Sequence, residues 1–198
     1  MKNRWSVTRR AFGLAVLIAT VASGPAHAAT TPSASSCSDP NYTLTQPFSS
    51  SKDTNWYMLA TGQTAGSFNG TGWTLTGGAR IVTSTLADGT IGTVLDLPAG
   101  AKAVSPLICV DSDYPIARLY LRDVSGPPSV SMFVAYAGGS PSPTNGLAGG
   151  SSWGVSPPIQ LHPGNLSGWQ EAQYTFEGGA KGTEAQLYDF YIDPRCRL

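Results

Sequence analysis

The chain has 198 residues, and its 12 Lys and Arg residues balance 12 Asp and Glu residues, giving a formal net charge of zero. It has no basic cluster beyond its first ten residues, which argues against binding to nucleic acid or anionic membranes through phosphate groups. Few charges together with 23 Gly and 15 Pro are typical of a turn-rich extracellular β domain.

The first 28 residues have the organisation of a cleavable export signal. Residues 1–10 are basic, residues 11–22 are apolar, and Ala26-His27-Ala28 ends the segment with small residues. This pattern predicts cleavage after Ala28 and secretion. The alternative is a membrane anchor, but the apolar run is shorter than the roughly 20 residues that a spanning helix needs. Cleavage leaves eight bases against twelve acids, a net charge of −4.

Within this signal, Thr8-Arg9-Arg10-Ala11-Phe12 resembles the twin-arginine export motif. The alternative is a general secretory signal that contains two arginines, and Gly13 after Phe12 leaves both routes open. Residues 29–36 are small and polar, which predicts a flexible lead-in. We expect residues 37–198 to form a single domain.

Three cysteines lie in the secreted part: Cys37, Cys109 and Cys196. An oxidising compartment favours one disulfide and one unpaired thiol, and the sequence allows three pairings. A bridge between Cys37 and Cys109 would pin the amino-terminal segment to a strand-like run. Cys196, three residues from the end, is the candidate for the unpaired thiol.

Short runs of alternating or β-branched apolar residues follow, separated by Gly, Pro, Asn or Asp, and no segment predicts a helix. We expect strands at 42–45, 56–60, 73–75, 80–85, 93–97, 103–110, 116–124, 130–137, 153–155, 159–161, 170–176 and 186–192. This spacing predicts an all-β fold, a two-sheet antiparallel sandwich with jelly-roll-like connectivity.

Two further features concern the middle of the chain. Residues 116–122 and 130–136 resemble neighbouring core strands, and the link through Gly126-Pro127-Pro128 has the length of a hairpin. Residues 138–151 form a Gly, Ser and Pro segment, which predicts a mobile rim or, alternatively, a lid that contacts a ligand.

Four segments carry a resemblance to known proteins: Gly72 to Ala79, Leu95 to Gly100, Ser105 to Val110 and Tyr188 to Arg195. Together they resemble a family of secreted, functionally uncharacterised actinobacterial proteins, and the resemblance covers about residues 37–195. It implies a domain similar to galactose-binding-like and carbohydrate-binding-module sandwiches, and a disulfide between Cys37 and Cys109. It brings no established activity.

Catalytic patterns are weak. Gly150-Ser151-Ser152-Trp153-Gly154 matches the Gly-x-Ser-x-Gly pattern of a hydrolase nucleophile elbow, which requires a strand-to-helix turn followed by an acid and a histidine. Pro157 and Pro158 oppose a helix here, and no acid separates Ser152 from His162, the one histidine after the signal. One histidine also provides no zinc-ligand spacing. We therefore expect no enzyme, and a hydrolase ranks third among the hypotheses.

Two carboxylates suggest a metal site. Asp189 and Asp193 are four residues apart on the last predicted strand, so strict alternation would place both on one face. With loop oxygens they could hold a structural Ca²⁺ ion. The alternative, which we favour, is that they are ordinary edge and turn carboxylates.

Aromatic residues suggest a sugar site, because sugar rings stack on exposed aromatic faces. The candidates lie beside polar or loop sequence: Trp56, Trp153, Trp169, Tyr57 and Tyr114. Trp73 is predicted to belong to the core. A secreted, non-catalytic carbohydrate-binding domain with a glycan partner should expose at least two aromatics on one face. The alternative is a structural or protein-interaction domain of the cell surface or spore coat, with a cell-surface protein as its partner.

Overall fold

A computed structural model describes residue 37 and residues 42–111, 116–127, 130–137, 139–161 and 168–193. Several predictions fall outside these ranges and stay predictions: the signal peptide 1–28, the lead-in 29–36, Tyr114, His162 and Cys196. The described residues all belong to one compact unit, Thr31–Leu198. No helix within them is long and apolar enough to span a bilayer.

Short strands dominate the described ranges, which contain one 3-10 helix, η1 (Ser49–Ser51), and no α-helix. The strands are β1 (Met58–Leu59), β2 (Gln63–Thr64), β3 (Ser67–Phe68), β4 (Thr74–Thr76), β5 (Arg80–Thr85), β6 (Ile91–Pro98), β7 (Lys102–Val104), β8 (Ile108–Asp111), β9 (Ile116–Ser125), β10 (Val130–Tyr136), β11 (Ser142–Pro143), β12 (Gly154–Val155), β13 (Ile159–Gln160), β14 (Trp169–Gly178) and β15 (Glu184–Ile192).

The strands form two sheets that enclose one core, which confirms the predicted all-β sandwich. The larger sheet has the order β12-β9-β15-β6-β3-β2, with β1 also on β15, β13 on β9 and β5 on β6. The smaller sheet has the order β11-β10-β14-β7-β4, with β8 also on β14. The described pairings are antiparallel except for a single parallel pair, Ser67 with Thr93. The chain crosses repeatedly between the sheets, as in jelly-roll connectivity.

The core arises from alternation along strands of both sheets. Ala117, Leu119 and Leu121 of β9 face inward, and Tyr174 and Phe176 of β14 meet them from the smaller sheet. Burying each large apolar side chain contributes about 1.5–3 kcal/mol. The core thus accounts for the apolar positions of the predicted strands.

Trp73 lies in this core, as predicted. Its ring stacks on Phe176 at a centroid distance of 6.0 Å and meets the edge of Phe68 at 5.0 Å. Its indole N–H donates to Thr61 O at 2.8 Å, so its polar atom is satisfied.

The predicted hairpin of residues 116–122 and 130–136 is wrong. β9 pairs in the larger sheet with β12, β13 and β15, whereas β10 pairs in the smaller sheet with β11 and β14. Both strands point an apolar face into the same core from opposite sides, and alternation alone does not distinguish this from pairing within one sheet.

The Gly, Ser and Pro segment is anchored to the sandwich. Ser142–Pro143 pairs with β10, and Leu147 is buried in the core. Asn145 donates through Nδ2 to Pro158 O and accepts from the backbone N–H of Gln160. These contacts differ from the predicted free rim or lid.

The structure contains the Cys37–Cys109 disulfide, with the two Cα atoms 5.5 Å apart. Cys109 lies on β8, and Tyr42 donates its hydroxyl proton to Cys109 O at 2.7 Å. The bridge therefore ties the start of the domain to the smaller sheet, which confirms the predicted pairing.

Candidate functional site: a cavity where the larger sheet forks

The larger sheet divides beside β6. The carboxyl-terminal half of β6 pairs with β15, from Pro98 opposite Glu184 to Leu95 opposite Leu187. Beyond that point β15 leaves, and β3 takes its place next to Thr93. Gly92 lies at this fork, where no side chain would fit, because a Cβ atom would overlap Gly66 O in the β2–β3 turn. The fork leaves space between β15 and the turns around it.

A β-bulge at Asp189 accompanies the fork. Tyr188 lies opposite Tyr120 of β9, but Tyr191 lies opposite Arg118, so β15 has one more residue than β9 over this stretch. Asp189 has a φ of +52°, in the left-handed region that favours Gly and tolerates Asn and Asp. Because of the bulge, Tyr188 and Tyr191 both face away from the core.

The outward rings on this face contact one another. Tyr120 and Tyr188 stack with centroids 4.9 Å apart and planes 9° from parallel, and Trp153 meets the edge of Tyr188 at 4.9 Å. Phe48 continues the cluster at 5.8 Å from Tyr120 and 5.5 Å from Tyr191. Each such pair contributes about 0.5–1.5 kcal/mol beyond its buried area.

Two of these rings also hold the β5–β6 turn. The Ala87 backbone N–H donates to the Tyr188 hydroxyl at 3.1 Å, and Trp153 Nε1 donates to Thr85 O at 2.7 Å. Arg122 lies over the Trp153 ring at 4.7 Å and donates to Gln186 Oε1 at 2.7 Å. The turn is therefore fixed over the outer face of the sheet.

A cavity of about 440 Å³ lies between the β2–β3 turn, the β5–β6 turn and β15. Its wall combines aromatic rings, aliphatic side chains, hydroxyls and two carboxylates, without any Lys, Arg or His: Thr64, Ala65, Gly66, Ser67, Leu86, Ala87, Asp88, Thr90, Ile91, Tyr120, Tyr188 and Asp189. Ile91 is 70% exposed. The cavity therefore joins an apolar surface to hydrogen-bonding groups of net negative charge.

Asp189 is the most buried acid of this wall, with 8% of its surface exposed. Its Oδ1 accepts the Gly66 backbone N–H at 2.8 Å, and Oδ2 has no hydrogen-bond partner among the described residues. Burial raises the pKa of Asp189 to about 6; the Gly66 bond lowers this pKa and the charge of Asp88 raises it. The Asp88 pKa is lowered by the Thr90 hydroxyl and N–H. Near neutral pH, both carboxylates are therefore mostly ionised.

The predicted site residues divide between this region and others. Asp189 lines the cavity and Trp153 packs on Tyr188 in its wall, so both residues lie beside Tyr188. Trp169 is half-buried at the start of β14 in the smaller sheet, where its ring lies 6.4 Å from that of Tyr42.

Tyr57 requires a correction. It is fully buried against Phe48 and Tyr191, and its hydroxyl donates to Asp53 Oδ2 at 2.7 Å. A ring enclosed in this way offers no face to a ligand, so Tyr57 has a packing role.

Trp56 is exposed over 55% of its surface, and it is the one exposed aromatic residue in the described ranges. The expected pair of exposed aromatics on one face is therefore not met there. The rings of the candidate site are instead half-buried or buried in the wall of a cavity.

The bulge in β15 also affects the predicted calcium pair, Asp189 and Asp193. Strict alternation between Asp189 and Asp193 fails, because Asp189 is the extra residue of β15. Asp193 is buried, and its backbone N–H donates to Ile116 O at 3.1 Å. Among the described residues, no three His, Cys, Asp or Glu side chains are grouped so that they could hold a metal ion. Calcium binding stays a prediction.

The Gly-x-Ser-x-Gly segment does not adopt the geometry of a nucleophile elbow. Gly154–Val155 forms β12 against Leu121 and Tyr120, and an irregular segment without helix leads from it to β13. Ser152 is exposed before a strand rather than poised before a helix.

Sequence reasoning missed Tyr120, Tyr188, Asp88 and the β2–β3 turn as parts of one site. The Asp88-Gly89 pair does signal a turn, which the structure forms between β5 and β6. The bulge that brings Tyr188 and Asp189 to this turn has no sequence signature of its own.

No protein-family model and no curated protein matches this chain. Solved structures with a similar architecture include the CBM22-1 xylan-binding domain from Paenibacillus barcinonensis Xyn10C, with 15% identity, a TM-score of 0.45, and coverage of 64% of this chain and 88% of that one. The family 11 carbohydrate-binding module from Clostridium thermocellum, in complex with a β-1,3-1,4-mixed-linked tetrasaccharide, gives 12% identity, a TM-score of 0.41, and coverage of 64% and 91%.

The N-terminal cellulose-binding domain of Cellulomonas fimi β-1,4-glucanase C gives 19% identity, a TM-score of 0.42, and coverage of 64% and 91%. These neighbours are carbohydrate-binding modules with a β-sandwich fold. Neither a ligand nor a site residue of this chain follows from similarity at this level.

Proposed function

We propose that this protein is a secreted, non-catalytic carbohydrate-binding domain that holds a small saccharide in the cavity at the fork of the larger sheet. The observation that carries the proposal is the combination, in one cavity wall, of stacked Tyr120 and Tyr188 with the half-satisfied carboxylate of Asp189. The predicted export signal supports secretion, and so does the Cys37–Cys109 disulfide.

The cavity has the size and chemistry that a sugar requires. Small-molecule sites usually enclose roughly 300–1,000 Å³ and combine apolar walls with a few polar groups that fix orientation. The apolar C–H face of a sugar ring would pack on Tyr120 and the Ile91 side chain. Its hydroxyls would donate to Asp189 Oδ2 and exchange hydrogen bonds with Thr64 and Ser67.

The two carboxylates of the wall are each engaged by neighbouring donors. A glycosidase needs two carboxyl groups on opposite sides of the scissile bond, one of them a proton donor. Asp88 accepts bonds from Thr90 at an exposed turn, and Asp189 is held by Gly66. These arrangements favour binding over bond cleavage.

The test is a titration of the purified protein, with its disulfide formed, against neutral, cationic and anionic oligosaccharides of several linkages. Intrinsic fluorescence reports binding, because Trp153 contacts the wall residue Tyr188. We expect a saturable change for one sugar class. A flat response across the panel would contradict the proposal and favour a structural or protein-interaction role.

Matched variants locate the site. Tyr120→Ala removes a wall ring and should weaken binding by tenfold or more, and Ile91→Ala, at an exposed position, should weaken it several-fold without affecting folding. Trp56→Phe changes an exposed ring that is not part of the cavity wall and should leave affinity unchanged. Loss of binding in Trp56→Phe alone would place the ligand elsewhere.

A further inference from the structure

We propose that the preferred ligand of this cavity is an amino sugar, whose ammonium group binds the Asp189 carboxylate. This inference rests on the proposed carbohydrate-binding function and adds the chemical class of the sugar. The ligand would carry a free amine rather than an acetamide, a hydroxyl or an acidic group.

The charge of the wall is the first argument. Asp88 and Asp189 face the cavity, and no Lys, Arg or His lines it. Two arginines on the same face of the sheet already have partners: Arg122 bonds Gln186 and Ser84, and Arg118 lies 2.9 Å from Asp53. A uronic acid, a sulfated sugar or a phosphate would therefore meet like charge without compensation.

The geometry of Asp189 is the second argument. Only 8% of the Asp189 residue is exposed, and no described residue donates to its Oδ2, which is not among the fully buried polar atoms and can be reached from the cavity. An ionised carboxylate with so little exposure is poorly hydrated, and a cationic donor from a ligand compensates it better than a neutral one. An ammonium group has three N–H donors and no acceptor, which suits an oxygen that can only accept.

The surrounding groups complete a site for the rest of an amino sugar. Tyr120 and Tyr188 line the same cavity, and a cation is attracted to an aromatic ring that it contacts. Thr64 and Ser67 supply hydroxyls on the opposite turn. An acetamide would remove the charge and add a methyl group where the wall offers a carboxylate, so acetylation should abolish the preference.

Three oligosaccharide series that share a β-1,4-linked backbone provide the test. Chitosan, chitin and cello-oligosaccharides of equal length differ at C2, where they carry an amine, an acetamide or a hydroxyl. Calorimetric titration at pH 6.5 and low salt should show the amine series binding at least tenfold more tightly than the other two. The same measurement on galactosamine and galactose covers the other common ring stereochemistry.

Asp189→Asn is the decisive variant. Asn tolerates the positive φ and keeps an acceptor for the Gly66 N–H, so the fold should be retained. The ratio of amine-series to hydroxyl-series affinity should fall from at least tenfold to less than about twofold, while both series weaken because Oδ2 is lost as an acceptor. Glu177→Gln removes the same charge from the smaller sheet and should leave the preference intact.

The outcomes separate the two proposals. Equal binding of amine and hydroxyl ligands, sensitive to Tyr120→Ala, would overturn the amino-sugar inference and leave the carbohydrate-binding function standing. An amine preference that persists in Asp189→Asn would also overturn the inference. No binding of any sugar would overturn both. Binding of CaCl₂ alone that depends on Asp189 and blocks the amine ligands would identify a metal site instead.

Discussion

The two sheets present very different outer faces to their surroundings. On the smaller sheet, Phe133 is half-buried between Thr175 and Pro143, and Lys102 forms an exposed ion pair with Glu177 at 2.6 Å. On the larger sheet, rings from several strands lie against one another under two turns. Both sheets alternate inward and outward residues, so alternation alone does not explain the difference.

Pairing between the two longest strands of each sheet differs in the same way, although β14 changes partner from β8 to β7 on its other side. β10 and β14 pair without interruption from Val130 opposite Gly178 to Tyr136 opposite Ala172. In the larger sheet, β15 contains a bulge and leaves β6 after Leu187. An uninterrupted ladder gives a flat polar face, whereas a ladder with an extra residue and a fork gives a cavity.

The largest effect should come from the covalent link to the smaller sheet. Replacing Cys37 and Cys109 together by Ala should lower the free energy of unfolding by about 4 kcal/mol, because the bridge closes a loop with a sequence separation of 72. Denaturant unfolding measures this. Cys196→Ala is the matched control, and an equal loss there would contradict the assignment of Cys196 as the unpaired thiol.

Removing an aromatic ring from the outer face of the larger sheet should lower the free energy of unfolding more than removing one from the outer face of the smaller sheet. Tyr188→Ala should cost about 3 kcal/mol, since it removes a buried ring that contacts Tyr120 and Trp153. Phe133→Ala, at a half-buried position, should cost about 1 kcal/mol. Similar costs for the two variants, measured by thermal unfolding, would contradict the contrast between the faces.

The bulge should make stability depend on pH. The pKa of Asp189 is raised from 3.8 to about 6 in the folded state, so folding favours the protonated carboxyl group. The resulting contribution to the free energy of unfolding is fully present below about pH 4 and is lost as pH rises through 6. Asp88 and the hydroxyls of Tyr120, Tyr188 and Tyr191 are the titratable groups around it, and the tyrosines titrate far above this window.

Compared with Asp189→Asn, the free energy of unfolding of the wild-type protein should therefore fall by about 1–2 kcal/mol between pH 4 and pH 6.5. Solvent screening at the cavity mouth makes this fall smaller than the pKa shift alone would give. Urea unfolding of both proteins across this range isolates the group. Parallel stability curves would show that burial does not penalise the Asp189 charge.

The smallest loss of stability should come from removing the Trp153 hydrogen bond that fixes the β5–β6 turn. Trp153→Phe keeps an aromatic ring but removes the bond to Thr85 O, which should cost about 1 kcal/mol and increase amide exchange at Ala87. Trp56→Phe, at an exposed position, should change neither quantity. Unchanged exchange in both variants would mean that Trp153 does not fix the turn.

The sequence predicted much of the fold because alternation and turn residues are local signals. The strand at 80–85 has the predicted bounds, and the sandwich, the Trp73 core position and the Cys37–Cys109 bridge are confirmed. The false hairpin between β9 and β10 shows the limit, since two inward-facing patterns fit either one sheet or two.

The site was less predictable than the fold. Trp153 and Asp189 could be singled out as residue types, but Tyr120 and Tyr188 read as ordinary strand residues. The contact between Tyr120 and Tyr188 depends on long-range strand pairing and on one bulged residue, and no local sequence pattern indicates either. Tyr57 was misassigned because polar neighbours in sequence did not reveal the ring cluster that buries it.

The central place of β15 in the larger sheet also bears on when the protein can fold. This strand is the last of those described, yet it lies between β9 and β6, which precede it by about 60 to 90 residues. The larger sheet cannot close until β15 has been made, so β9 and β6 cannot complete their pairing before then. Of the two export routes that the sequence leaves open, a general secretory translocon would carry the chain before this pairing is complete, whereas a twin-arginine translocon would require β15 in place.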